Sequence, residues 1–156
     1  VRDFGHILAD DTLYAEKAAK ISSLSRDPSE VLAGEKAALL PLLAARPERR
    51  GKLAFHSPCT LQHGLQIRGS IEVLLQSAGY DLTPVADSHL CCGSAGTYSV
   101  LQPELAGMLR ANKLAALNAG GPALAATANI GCLTHLQAGS SLPVRHWIEL
   151  IDEVLA

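Results

Sequence analysis

From residue 52 onward the chain alternates short apolar runs with segments of helical periodicity. The apolar runs that predict strands are residues 52–57, 80–86, 123–128 and 143–145. Helical spacing of apolar residues appears at 67–78, 103–119 and 147–155. Strands that alternate with helices form parallel sheets, because each helix returns the chain to the starting edge. The sequence therefore predicts an α/β fold, with a small parallel sheet flanked by helices.

The first part of the chain has a helical pattern without strands. Asp10 and Asp11 suit a helix start, and Asp27-Pro28 marks a second one, since proline is favoured in a first turn. Residues 46–51 form a polar linker. We expect an N-terminal helical segment over 1–51 and a cysteine-rich α/β domain over 52–156, as one compact unit. Because the chain begins at Val1, we also expect it to be a fragment of a longer protein.

Length, charge and hydropathy exclude several function classes. The chain has 156 residues, enough for one ordinary domain, with 48% hydrophobic residues and a formal net charge of -2. No long basic run is present, so we expect no nucleic-acid partner. No stretch approaches the roughly 20 apolar residues that span a bilayer. These features predict a cytoplasmic protein without a membrane span.

All four cysteines follow predicted strands. Cys59 comes just after the first, Cys91 and Cys92 follow the second, and Cys132 follows the third. Ligand sites in parallel sheets lie beyond the carboxyl ends of the strands. We therefore expect the four thiols to meet at one edge of the sheet, although they are far apart in the sequence.

Three kinds of cysteine chemistry are compatible with this spacing. The thiols can be buried apolar groups, a redox pair, or metal ligands, with His56, His63, His89 and His135 as further candidate ligands. Only the spacing from Cys132 to His135 resembles a zinc chelate. Adjacent side chains in extended backbone point to opposite sides, so Cys91 and Cys92 suit different iron atoms of a polynuclear cluster. A disulfide between neighbours would form a strained ring.

Glycines accompany the cysteines. Gly93 and Gly96 follow the adjacent pair, where they can admit a cluster and free backbone N–H groups for its sulfides. We expect His56 and His135 to donate hydrogen bonds near the site rather than to ligate metal. A zinc site stays open at this point.

Three segments carry a resemblance to a known family. Residues 55–59 (FHSPC), 91–96 (CCGSAG) and 129–132 (NIGC) resemble the cysteine-rich CCG domain of heterodisulfide reductases and their relatives. Residues 1–6 and 144–149 further resemble the C-terminal part of bacterial glycolate oxidase iron-sulfur subunits. The resemblance thus covers essentially the whole chain.

The resemblance implies a cluster and a role for it. Cys59, Cys91, Cys92 and Cys132 would hold an iron-sulfur cluster of the 4Fe-4S type, which the isolated fragment can lose. The subunit would pass electrons from the flavin-containing subunits of a glycolate or D-lactate oxidising complex towards the respiratory chain. The chain alone would not be catalytic. It would be cytoplasmic, peripheral at the inner membrane through the complex.

Two features depart from the family pattern. Full-length members carry a ferredoxin-like N-terminal part and an earlier CCG repeat, which this sequence does not contain. Many CCG domains also have a cysteine where His135 stands here. Two other functions therefore stay open: a zinc-bound or metal-free module that docks the flavin subunit, and a catalytic cluster that reacts with a disulfide substrate.

Overall fold

Four strands in the described part of the chain form one parallel sheet. The computed structural model describes residues 1–46 and 48–156. The strands are β1 (Gly51–His56), β2 (Tyr80–Thr83), β3 (Leu124–Thr127) and β4 (Val144–His146). Their order is β2-β1-β3-β4, and every neighbouring pair is parallel. The predicted α/β fold class is confirmed.

The strand order places a crevice between β1 and β3. The chain leaves β1 to form β2 on one side, and then returns to form β3 on the other side. Ligands of open parallel sheets bind where the strand order reverses in this way, beyond the carboxyl ends. In the β1–β3 register, the last paired residues are His56 and Thr127. Cys59 lies in the loop after His56, and Cys132 lies in the first turn of the helix that follows Thr127.

Nine α-helices lie in residues 1–46 and 48–156. They are α1 (Phe4–Ile7), α2 (Ala15–Leu24), α3 (Pro28–Gly34), α4 (Lys36–Ala44), α5 (Ser70–Ser77), α6 (Tyr98–Leu101), α7 (Pro103–Asn118), α8 (Ile130–Gln137) and α9 (Trp147–Leu155). A π-helical turn spans Thr60–Gly64. Of the helices in these ranges, none is long and apolar enough to cross a membrane.

The first helices form a compact unit, Val1–Gly34. Within it, the backbone N–H of Gly5 in α1 donates to Ser22 Oγ of α2 at 2.8 Å. A Cβ on Gly5 would lie 3.1 Å from Ala19 Cα, so the absence of a side chain allows the two helices to approach closely. Both helices lie within the segment that the sequence predicted to be helical, and the bounds 1–51 of that segment stay a prediction.

The second compact unit, Glu35–Ala156, contains α4 and the whole sheet. The domain boundary predicted near residue 51 stays a prediction. Residue 47, within the predicted linker 46–51, lies outside the described residues. The second strand is shorter than predicted and ends at Thr83, because Pro84 follows and lacks the N–H that a ladder needs.

The core of this unit extends to the cysteines. Trp147 and Leu150 on α9 are fully or almost fully buried, and α9 packs against α4 and α5. α9 begins with a capping box between His146 and Glu149. On the cysteine side, a buried apolar cluster includes Ala54, Leu114, Leu117, Ala125, Leu136 and Val144 together with Cys92 and Cys132.

Candidate metal centre

One cavity brings together all four cysteines. It has a volume of about 430 Å³ and lies beyond the carboxyl ends of β1 and β3. Its lining is Pro58, Cys59, Thr60, Cys91, Cys92, Ser94, Ala95, Gly96, Asn129, Gly131 and Cys132. All four cysteines are free thiols. The convergence expected from the sequence is therefore present, while the role of the thiols as metal ligands stays a prediction.

The four thiols form two pairs. Cys91 lies close enough to Cys59, and Cys132 close enough to Cys92, to shift the pKa of its neighbour. The first pair is half-buried and the second is buried. The adjacent cysteines of the CCG motif thus face different partner thiols, as neighbouring side chains in extended backbone do.

Cys59, Cys92 and Cys132 differ in acidity. The neighbouring side chain of Cys132 lowers the pKa of Cys92 to about 4, against the opposing effect of burial. The side chain of Cys92, together with burial, in turn raises the pKa of Cys132. Burial and, next, the nearby charge of Cys91 raise the pKa of Cys59. The two buried thiols therefore differ in acidity, and Cys92 is the one that ionises more readily.

His56, the last residue of β1, lies beside the buried pair. It is only 2% exposed, and among the described residues no oxygen or nitrogen pairs with its ring nitrogens, while its contact with Cys92 adds to the lowering of the pKa of that thiol. The ligand atoms of His56, Cys92 and Cys132 all lie within 4.8 Å of one another. The ring of His56 thus lies near enough to these two thiols to share a metal ion with them, whereas the sequence predicted only that it donates a hydrogen bond.

The other candidate histidines lie elsewhere. His63 and His89 are exposed. His135 is half-buried on α8, and its Nε2 lies 3.3 Å from the carbonyl oxygen of Ala106 on α7. Because a carbonyl oxygen only accepts, this contact assigns the ring proton to Nε2. The expected hydrogen bond from His135 to a cluster sulfur stays a prediction.

The loop after β1 is fixed by a buried glutamine. Pro58 follows the strand, and Cys59 precedes the π-helical turn Thr60–Gly64. Gln62 within that turn is buried, and its Nε2 donates to the carbonyl oxygens of Ser57 and Ser88. Gln62 thus joins the Cys59 loop to the segment that precedes Cys91.

Gly93 shapes the second cysteine loop. Its backbone N–H donates to Cys91 Sγ at 3.3 Å. Its φ of 93° lies in a region that favours glycine, and a Cβ there would come within 2.5 Å of the carbonyl oxygen of Ala106. The predicted roles of Gly93 and Gly96, to admit a cluster and to bond its sulfides, stay predictions. Gly93 already provides an N–H to a thiol sulfur.

Lys113 of α7 binds the backbone of the second cysteine loop. The side chain is buried, and its Nζ donates to the carbonyl oxygen of Asp87 at 2.8 Å and of Ser88 at 3.4 Å. Burial lowers the pKa of Lys113, while the nearby thiols and Asp87 oppose that shift. Lys113 is thus a buried amine that binds the loop backbone next to the thiols.

Asn129 fixes the third cysteine. Its side-chain oxygen accepts hydrogen bonds from the backbone N–H groups of Gly131 at 2.9 Å and Cys132 at 3.2 Å. Asn129 is therefore the N-cap of α8, a position at which asparagine is strongly preferred. A Cβ on Gly131 would lie 3.0 Å from Ser94 Oγ, so the second and third cysteine loops are closely packed.

Sequence reasoning missed three of these residues. Asn129 carried a readable signal, since it precedes a helical run at the N-cap position. Gln62 and Lys113 carried none, because their partners are backbone carbonyls of a loop distant in sequence.

The donor set fits an iron-sulfur cluster. Four thiols from three loops match the usual ligand number, and a glycine N–H is already bonded to one sulfur. The buried imidazole of His56, which pairs with no oxygen or nitrogen in the described part of the chain, adds a nitrogen donor that a thiolate-only site does not require. The arrangement can therefore hold soft metal ions through sulfur, with nitrogen as a further donor.

Fold and site together define an α/β domain with a four-thiol cavity at the reversal point of its sheet. The sequence matches the family described as the cysteine-rich domain, CCG, over residues 53–137. That match covers more than half of the chain and includes all four cysteines. The chain belongs to this CCG family.

Relatives are similar over most of this chain. The glycolate oxidase iron-sulfur subunit of Escherichia coli strain K12 is 49% identical over 99% of this chain, which spans 37% of that relative. The probable glycolate oxidase iron-sulfur subunit of Bacillus subtilis is 28% identical over 88% of this chain and 30% of its own length. Lactate utilization protein A of the same organism is 23% identical, over 97% and 64%.

Proposed function

We propose that this chain is the cluster-holding C-terminal part of an iron-sulfur electron-transfer subunit in a complex that oxidises glycolate or D-lactate. The observation that carries the proposal is the convergence of Cys59, Cys91, Cys92 and Cys132 on one cavity. The names of two relatives, which are iron-sulfur subunits of glycolate oxidase, support the same role.

In this proposal the four cysteines hold a cluster of the 4Fe-4S type. When bound, such a cluster accepts and donates single electrons. The Gly93 N–H at Cys91 Sγ supplies a hydrogen bond to a ligand sulfur, which raises the reduction potential. The buried amine of Lys113 stabilises negative charge near the thiolates. The apolar core behind Cys92 and Cys132 limits access of water to that side.

The partners follow from the same reasoning. A flavin-containing subunit would supply the electrons, and a ferredoxin-like part of a longer subunit would accept them. The complex would operate in the cytoplasm, peripheral to the inner membrane. The chain itself would position the cluster and would not bind the hydroxy acid.

Anaerobic purification tests whether a cluster is present. The chain is purified under argon and reconstituted with iron and sulfide, and iron, acid-labile sulfide and zinc are counted. We expect iron and sulfide in similar amounts, and a brown colour that bleaches on reduction. A colourless protein with a full complement of zinc and no sulfide after reconstitution would contradict the proposal.

Mixing with flavin subunits tests the role. Reconstituted chain is mixed anaerobically with flavin subunits that have been reduced by glycolate or by D-lactate, and the cluster absorbance is followed by stopped flow. We expect bleaching with one of these substrates, and none with chain in which Cys132 is replaced by serine. Reduced flavin that leaves an intact cluster oxidised would refute electron transfer within this complex.

A further inference from the structure

The imidazole of His56 has no partner except the two thiols beside it. A neutral imidazole carries one N–H donor and one acceptor nitrogen, and within the described residues neither pairs with an oxygen or nitrogen atom, so the thiols of Cys92 and Cys132 are its nearest polar neighbours. Buried polar groups of native proteins are nearly always paired, so an unpaired pair of nitrogens calls for a specific explanation. Thr127 Oγ1, at the paired position of β3, is equally buried and unpartnered in the described part of the chain.

His56, Cys92 and Cys132 offer the nitrogen and sulfur donors that zinc prefers. The ligand atoms of His56, Cys92 and Cys132 lie within 4.8 Å of one another. Tetrahedral zinc takes nitrogen at about 2.0–2.1 Å and sulfur at about 2.3 Å, so its ligand atoms stand roughly 3.5–3.8 Å apart, within about 1 Å of the separation found here. Little movement is needed to close the three donors on one ion.

The fold explains why this set arises from residues that sequence spacing did not link. β1 and β3 pair in parallel with His56 opposite Thr127, and Cys132 follows that strand on α8. The Asn129 cap holds the first turn of α8, and with it Cys132. His135, three residues beyond Cys132, instead contacts the carbonyl oxygen of Ala106.

We propose that His56, Cys92 and Cys132 form a site for a single thiophilic divalent ion of the zinc class, with the imidazole as a ligand. The fourth position faces the open cavity and takes water. This site does not depend on the proposed cluster. The two occupants exclude each other, because both use Cys92 and Cys132, so an ion bound here blocks iron loading.

Cobalt titration tests the site directly. Metal-free chain is prepared with a chelator under argon and titrated with Co²⁺, whose thiolate charge-transfer and ligand-field bands report tetrahedral binding. We expect one cobalt ion per chain, displaced by zinc. X-ray absorption of the zinc form should show two sulfur neighbours together with nitrogen. A shell of four sulfurs without nitrogen, or no cobalt binding, would overturn the proposal.

Variants separate this site from the cluster site. His56→Ala should weaken cobalt binding by more than about 100-fold, since a ligand matters more than the outer partners whose loss costs 10–100-fold. His63→Ala, an exposed histidine in the neighbouring turn, is the matched control and should leave affinity unchanged. Unchanged affinity in a folded His56→Ala chain would overturn the assignment. If that variant does not fold, the X-ray absorption of the unaltered chain decides.

Cys59→Ser distinguishes the two proposals. It should retain cobalt binding, because Cys59 lies outside the three-donor set, and should lose iron on reconstitution, because the proposed cluster needs four thiolates. Cobalt loss as large as that of Cys132→Ser would overturn the three-donor site. Full iron retention in Cys59→Ser would contradict the cluster while leaving the cobalt result to stand.

Discussion

The two edges of the sheet both carry cavities, and the larger one is at the edge without cysteines. At the amino edge, a cavity of about 520 Å³ is lined by Arg49, Gly51, Lys52, Gln76, Gly79, Tyr80 and Asp81. At the carboxyl edge, the cysteine cavity measures about 430 Å³. Volume therefore does not identify the site. Converging donors of one chemical kind, with a buried imidazole beside them, distinguish the carboxyl edge.

The connections explain the difference between the edges. At the amino edge, Gly79 leads directly from α5 into β2, and a Cβ there would collide with the carbonyl group of Glu48. At the carboxyl edge, residues 84–97 form a long connection between β2 and α6 that bends around Cys91 and Cys92. Long loops on a rigid sheet can place side chains from distant positions together.

The largest expected effect comes from cysteine substitutions at the carboxyl edge. Replacing Cys59, Cys91, Cys92 or Cys132 singly by serine should remove most of the iron bound on anaerobic reconstitution, because three thiolates leave an incomplete set. The measurement is iron and sulfide per chain. Gln76→Ser at the amino cavity is the control and should bind iron like the unaltered chain. Full iron in both Cys59→Ser and Cys132→Ser would show that the thiols do not share a site.

Replacing two glycines with positive φ, one at each edge, by alanine should give the next largest effect. Gly93 has φ 93° and Gly51 has φ 84°, so alanine at either position costs about 1–2 kcal/mol of folding free energy from backbone strain. Only Gly93→Ala adds a clash, with Ala106 O, whereas a Cβ at Gly51 meets nothing within 4 Å. We expect the larger loss of stability for Gly93→Ala by urea unfolding, and reduced iron loading for it alone.

Equal unfolding midpoints for the two glycine variants would show that the loop at Gly93 relaxes away from α7 at no cost. Iron loss in Gly51→Ala would show that the amino edge transmits strain to the cysteines.

A lysine at each edge gives a smaller effect. Lys113→Met removes the hydrogen bonds to Asp87 and Ser88, while it also removes the cost of burying an amine, which lowers the pKa of Lys113. These contributions oppose each other, so the unfolding midpoint should change little. Iron should pass to a chelator roughly 10-fold faster, because the support of the cysteine loop is lost. Lys52 is an exposed lysine at the amino edge, and Lys52→Met should leave both the unfolding midpoint and the rate of iron transfer to the chelator unchanged.

A chelator rate unchanged by Lys113→Met would mean that Gln62 alone is enough to hold this loop.

The sequence predicted the parts of this structure that local pattern determines. Apolar runs ended by proline or glycine located the strands, and the rule for parallel sheets brought the cysteines to one edge. The contacts of His56, Gln62 and Lys113 were not predictable, because each depends on the β1–β3 register or on the path of a loop distant in sequence. The site was thus predictable as a set of thiols, but its nitrogen donor and its supports were not.

Substitution of His135 tests whether this residue belongs to the cysteine site. From the sequence, its spacing from Cys132 on one helix suggested a hydrogen bond to a sulfur of the site. In the structure Nε2 instead contacts Ala106 O at 3.3 Å, and this ring nitrogen also lies 3.1 Å from the position of a Cβ on Gly93. A neutral imidazole has one N–H, so the contact with Ala106 competes with the predicted hydrogen bond to a sulfur.

His135→Ala should therefore have the smallest effect of the series. We expect near-normal iron, a loss of about 0.5–1.5 kcal/mol in unfolding free energy from the lost hydrogen bond, and little change in the midpoint potential measured under argon. A clearly lowered potential with normal iron would instead support the hydrogen bond to sulfur, because removal of a donor leaves the negative charge of a cluster less stabilised. Iron loss as large as that of Cys132→Ser would make His135 a ligand, and would place a nitrogen donor on α8 as well as on β1.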